Sequence, residues 1–268
     1  MIILLLIFGV LFQTDDWIIT NQDGNTYNAD DSFHLYDTLV EIGETIDEAI
    51  ETLDERADWR NPYTHEFRRR VTVVYPSMGL CPNACYFWHS LADFLYDGTI
   101  HLPDGFSRRS LLHEYGHFIY VVMCDWDYGN IPTHDRYDSH WYSKQTDKGF
   151  ALIEGWAEFF PCWVDDSAFN MATSSMTIET NQWVGDDVEG SVASVLWDLT
   201  DTVDSLDNSV GIDDESVGDL SRRLWRVVEY QHPQNISEIR NQFYTRQTFR
   251  WADLKNKSAK GIHGTIRQ

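Results

Sequence analysis

Two pairs of residues in this chain have both the types and the spacing for joint chemistry: His113 and His117 in LLHEYGH, and Glu154 and Glu158 in LIEGWAEFF. On a helix, positions i and i+4 leave the same face about one turn apart. His113 and His117 therefore offer two neutral nitrogens at the bite that a tetrahedral zinc requires. Glu114 lies about 100° further round the helix. There it leans over the open side of a metal, where a carboxylate can take a proton from metal-activated water. Gly116 costs roughly 1 kcal/mol against Ala in a helix, so its presence marks a turn where another backbone packs close. The neighbours Leu111, Leu112, Phe118, Ile119, Val121 and Val122 are apolar. Histidines and a glutamate buried among them without partners would be costly.

A hydrolytic zinc takes three protein ligands and keeps one position open. A third histidine later in the same helix is excluded, because positions 120 and 123 are Tyr and Met. A glutamate from another helix fits better. Glu154 interrupts an apolar helix, and Gly155 after it permits close helix approach. Glu158, one turn on, can accept the free N–H of a ligand histidine and fix its tautomer. Glu189, His134 and His140 are rival third ligands, and Glu154 and Glu158 could instead be solvated helix charges.

HEYGH followed by EGWAEFF resembles the gluzincin metallopeptidases, the thermolysin-like clan, and in particular its uncharacterised prokaryotic members with an HExGH motif. The resemblance implies that His113, His117 and Glu154 bind one zinc, that Glu114 is the general base, and that Glu158 is the acid behind a ligand. It also implies that GTIHLP, residues 98–103, is the edge strand along which a peptide substrate lies. The stretch between the motifs is longer than in thermolysin, the acid at 158 is Glu where Asp is commoner, and no downstream His or Tyr matches the clan's transition-state stabiliser. His134, Tyr137, His140 and Tyr142 are the nearby donors available for an oxyanion.

The elements that must carry these residues follow from periodicity. Leu35, Leu39, Ile42, Ile46, Ile50 and Leu53 recur at helical spacing, predicting an amphipathic helix over about 33–56. Val71 to Tyr75, closed by Pro76, reads as a buried strand, and GTIHLP as a short one whose proline suits a sheet edge. Helices are expected from about Ser107 to Cys124 and from about Phe150 to a stop at Pro161. Two more are expected in DVEGSVASVLWDLTDTV and SVGDLSRRLWRVVEYQ, with a long loop from 125 to 148. The fold class is α+β and zincin-like: a small mixed sheet in the N-terminal half, an active-site helix, and a mostly helical C-terminal half.

At 268 residues the chain suits one domain. We expect it over 20–268, with an N-lobe of about 20–124, a C-lobe of about 149–268, and a cleft between them. Residues 1–19 hold an apolar run, Ile2 to Phe12. It is too short to span a bilayer of about 30 Å as a helix and suits an export signal or anchor. The alternative is a buried N-terminal strand or helix. The net charge of −23, from 43 acidic and 20 basic residues, disfavours nucleic acid and anionic membrane surfaces as partners. Either a salty habitat or ordinary acidic secretion would explain it. An even cysteine count in an exported chain favours disulfides, and we expect Cys81–Cys85 and Cys124–Cys162.

The expectation is thus a secreted or cell-surface zinc metallopeptidase acting on peptide or protein substrates. A zinc-stabilised domain that only binds a partner and a zinc amidase acting on a non-protein amide are the alternatives. The intact Glu114 argues against the first.

Overall fold

The helix that carries His113 and His117 begins at a capping box. Ser107 Oγ accepts from the Ser110 backbone N–H at 3.0 Å, and Ser110 Oγ accepts from the Ser107 N–H at 2.9 Å. Reciprocal caps of this kind satisfy two donors that a helix start leaves open. The computed structural model of the chain describes residues 10–14, 16–20, 31–58, 70–77, 84–87, 98–124, 127, 129–132, 142–168, 178, 184–200 and 217–244.

Within these residues the sheet has five strands in the order β1-β2-β3-β5-β4. They are β1 (Val10–Gln13), β2 (Trp17–Thr20), β3 (Val71–Val74), β4 (Cys85–Phe87) and β5 (Thr99–His101). β2, β3 and β5 run parallel, and the outer strands β1 and β4 are antiparallel to their neighbours. The parallel step from β2 to β3 is made by α1 (Asp31–Ala57), as a parallel crossover requires. Its stripe Leu39, Ile42, Ile46, Ile50 and Leu53 is buried. Gly43 brings the helix onto Trp17, for a Cβ there would stand 2.7 Å from the indole. Trp17 Nε1 also donates to Asp47 at 2.9 Å.

The remaining helices are α2 (Arg108–Met123), α3 (Lys148–Val164), α4 (Glu189–Asp198), α5 (Val217–Gln231) and α6 (Ile236–Tyr244). Asp147 caps α3, its carboxylate accepting from the Phe150 N–H at 2.9 Å. One contiguous core joins sheet and helices, from Ile19 and Val73 through Leu112 and Trp156 to Trp225 and Phe243. It crosses the boundary expected between the lobes. Trp156 and Trp225 meet edge to face with centroids 4.5 Å apart, an arrangement the aromatic quadrupole favours.

The fold is α+β, as expected, with several corrections. β1 lies within the apolar-led segment 1–19, and β2 straddles residue 19. An apolar run of this length serves a leader and a buried strand equally well. β5 is not at the edge: β4 pairs with its outer side and takes that place. α3 does not stop at Pro161 but runs through it to Val164. The residues around the proline, Phe159, Phe160, Cys162 and Trp163, are buried, and their packing outweighs the one lost backbone hydrogen bond. Cys124 and Cys162 are buried thiols, so the bridge expected between them is not formed. The other expected pairing involves Cys81, which lies outside the described residues. α6 was not anticipated from the sequence.

Candidate metal centre

The centre is built where α2 and α3 cross closely. A Cβ on Gly116 would stand 2.9 Å from Phe160 Cβ and 3.3 Å from the Ala157 Cα. Only a glycine lets the two backbones come this near. Gly155 does the same between α3 and α4, with Val192 Cβ at 2.6 Å and the Glu189 carbonyl oxygen at 2.9 Å from a notional Cβ. The histidine and glutamate pairs thus face each other across a tight seam.

The seam is an antiparallel ladder. His117 Nε2 lies 3.3 Å from Glu154 Oε2, and His113 Nε2 lies 3.6 Å from the same oxygen. One turn away, His113 Nδ1 lies 3.0 Å from Glu158 Oε1. One turn further, Arg109 pairs with Glu158 Oε2. Side-chain exposure is 15% and 12% for the histidines and 10% and 5% for Glu154 and Glu158, so the cluster is mostly buried.

His113, His117 and Glu154 form a donor set in which one atom of each lies within 4.8 Å of the others. Two donors bound tetrahedrally to one ion at about 2.1 Å stand about 3.4 Å apart. The 3.3 and 3.6 Å separations match that value. They are long for two hydrogen bonds converging on one oxygen. Two imidazoles and a carboxylate suit a zinc-like divalent ion, so the residues fit the metal that the sequence implied.

Electrostatics point the same way. Burial opposes a charged His113, but Glu158 and Glu154 outweigh it and hold the imidazole well above the ordinary histidine range. Burial likewise opposes ionised Glu154, yet the two histidines hold its carboxyl well below the usual value. Glu158 is also held down, burial being outweighed by His113 and Arg109. The pocket is therefore arranged to keep positive charge between two carboxylates. Glu114 moves in the opposite direction. Burial raises its carboxyl and Glu154 adds to the effect, against His113, His117 and the backbone N–H of Tyr86.

Tyr86 lies on β4, which brings the sheet edge to the centre. Its ring stacks on His117, with centroids 6.3 Å apart and planes 12° from parallel. Glu189 is buried at the start of α4 and is not in the donor set. His134, Tyr137 and His140 lie outside the described residues. The Tyr142 hydroxyl accepts from Arg109 at 3.1 Å, and Arg109 in turn pairs with Glu158. Arg109 and Tyr86 were not singled out from sequence. Arg109 stands four residues before His113 and extends the same helical stripe, which is the signal that could have found it. Tyr86 carried none, since strand pairing alone places it.

Residues 83–255 match the family model described as the Mycolysin C-terminal domain. That span contains every residue of the ladder. An uncharacterized protein of Archaeoglobus fulgidus is 27% identical over 166 residues, which cover 60% of this chain and 44% of that protein. The chain therefore spans less than half the length of that relative. No solved structure matches the chain significantly.

Proposed function

The chain belongs to the Mycolysin C-terminal domain family, a protease-related one, and from that premise we propose that it hydrolyses peptide bonds at a zinc held by His113, His117 and Glu154. The observation that carries this reading is the placement of Glu114. It is a buried carboxylate beside both histidine ligands, yet outside the donor set. A site that only stabilised the fold would have no use for it.

Bound zinc would supply a Lewis acid that polarises a carbonyl and acidifies a water molecule. The chain's own residues supply the rest. His113 and His117 present their Nε2 atoms and Glu154 its Oε2. Glu158 accepts from His113 Nδ1 and so keeps the proton off the ligand nitrogen. Glu114 is the general base: burial makes it more basic than an ordinary glutamate, which suits proton transfer near neutral pH. The Tyr86 N–H orients its carboxylate, and Glu114 then returns the proton to the leaving amine.

β4, not β5, is the strand that receives substrate in this reading. It is a sheet edge adjoining the base, and an extended peptide can add to such an edge through main-chain hydrogen bonds. A location outside the cell belongs to the same proposal, supported by the apolar run in residues 2–12. Among the described residues no helix is long and apolar enough to cross a membrane.

Elemental analysis combined with digestion of casein and a peptide library tests the reading. One zinc per chain and cleavage that Glu114→Gln slows by about 10² to 10⁴-fold are expected. Zinc without cleavage of any peptide would favour a binding domain, or an amidase of other substrates.

A further inference from the structure

Behind His113, the polar row continues past Glu158 to groups that the reaction itself does not use. Arg109 leaves α2 one turn before His113, on the same face. Its Nη2 donates to Glu158 Oε2 and to the Tyr142 hydroxyl, the latter at 3.1 Å. The guanidinium also lies over the Tyr142 ring, 5.9 Å from its centroid. The side chains of Arg109 and Glu158 are 17% and 5% exposed. Tyr142 is itself tied down, its carbonyl accepting from the Gly190 N–H at 3.0 Å. Three residues on, Gln145 bridges to Val188, and the Thr146 N–H donates to the Asp187 carbonyl at 2.8 Å. The strap 142–147 thus joins the start of α4 to the cap of α3, with Arg109 in contact at its first residue.

We propose that Arg109 is the positioning residue of the metal centre: by holding the second oxygen of Glu158 it fixes the ring plane and tautomer of His113, and so sets how tightly metal is held. The inference rests on the reading of His113, His117 and Glu154 as ligands. A carboxylate turns freely about its last bond, so a hydrogen bond to His113 alone would not orient it. With Oε1 on His113 and Oε2 on Arg109, Glu158 is held at both ends. His113 must then carry its proton on Nδ1 and present a bare Nε2. The planar guanidinium suits the task because one group serves both the carboxylate and the tyrosine.

A purely electrostatic role would have the opposite sign. A cation near the centre repels a metal ion, so removing it should strengthen binding. Positioning predicts that removing it weakens binding. This difference makes the proposal testable without any activity assay.

The metal-free full chain would be titrated with Zn2+ alone, in competition with a chromophoric chelator. Arg109→Gln should weaken zinc binding by about 10- to 100-fold, the range typical of groups behind a metal ligand. Glu158→Gln should do likewise, and the double variant should be no weaker than Glu158→Gln alone, because Arg109 acts through Glu158. With Co2+ in place of zinc, the visible absorption bands of Arg109→Gln should shift from those of the unsubstituted chain. If Arg109→Gln fails to fold, Arg109→Lys keeps the charge and loses the planar guanidinium. Its penalty should be smaller and should again vanish in the Glu158→Gln background. Affinity equal to or tighter than that of the unsubstituted chain, or a penalty that adds to that of Glu158→Gln, overturns the proposal. An unsubstituted chain that takes up no zinc defeats the metal reading itself, and its own arm of the experiment shows this separately.

Discussion

His113 Nδ1 lies 3.0 Å from Glu158 Oε1, while the opposite nitrogen of the same ring, Nε2, faces Glu154 Oε2 at 3.6 Å. One imidazole thus bridges two carboxylates on successive turns of α3. That bridge divides the residues into a donor set and its support, and the predictions below separate the two.

Metal removal should be visible as lost stability. A ligand that binds only the folded chain, at 100 times its dissociation constant, contributes about 2.7 kcal/mol. For a chain of this size that corresponds to a fall in Tm of roughly 5–10 °C on dialysis against a chelator. The double variant His113→Ala, His117→Ala should show no such fall, since it has no metal to lose. A chelator-induced shift surviving in that variant would place the metal elsewhere.

Glu114→Gln and Glu154→Gln should part company. The first keeps the shape of the base but cannot take a proton, so zinc content should stay while turnover drops by about 10² to 10⁴-fold. The second weakens a ligand and should lower zinc content and activity together. Measuring both quantities on both variants checks the assignment. Loss of zinc from Glu114→Gln, with Glu154→Gln intact, would reverse the roles.

Gly155→Ala should destabilise the fold, although Ala is the better helix former by about 1 kcal/mol. The added methyl would meet Val192 Cβ at 2.6 Å and the Glu189 carbonyl oxygen at 2.9 Å, and a backbone oxygen cannot rotate away. Overpacking of this kind costs roughly 1–3 kcal/mol, which outweighs the propensity gain. A thermal melt showing a rise in Tm would mean that α3 and α4 are not in this close contact.

Cys124 and Cys162 should label with a thiol reagent only after unfolding, without any reductant, because both are buried thiols. Peptide mapping of the labelled chain checks this. Failure of either to react in denaturant would restore the bridge that the structure lacks.

The sequence by itself determined the local half of the centre. His113, Glu114 and His117 stand in a fixed angular relation because helical periodicity sets it, whatever else the chain does. Glu154 and Glu158 could be read for the same reason, with the added signal that acids in a buried apolar helix need partners. The α1 stripe and the start of α2 at Ser107 were equally local. What the tertiary structure decided was pairing. Trp17–Thr20 is a strand because it pairs with β1 on one side and β3 on the other. β4 took the edge from β5 by pairing along its outer side, which no periodicity within either strand specifies. Pro161 stayed inside α3 because its neighbours were buried. Arg109 gained a role only because α3 brought Glu158 against it. Periodicity acts within a helix and needs no partner, whereas register, edges and ion pairs depend on which surfaces the fold brings together.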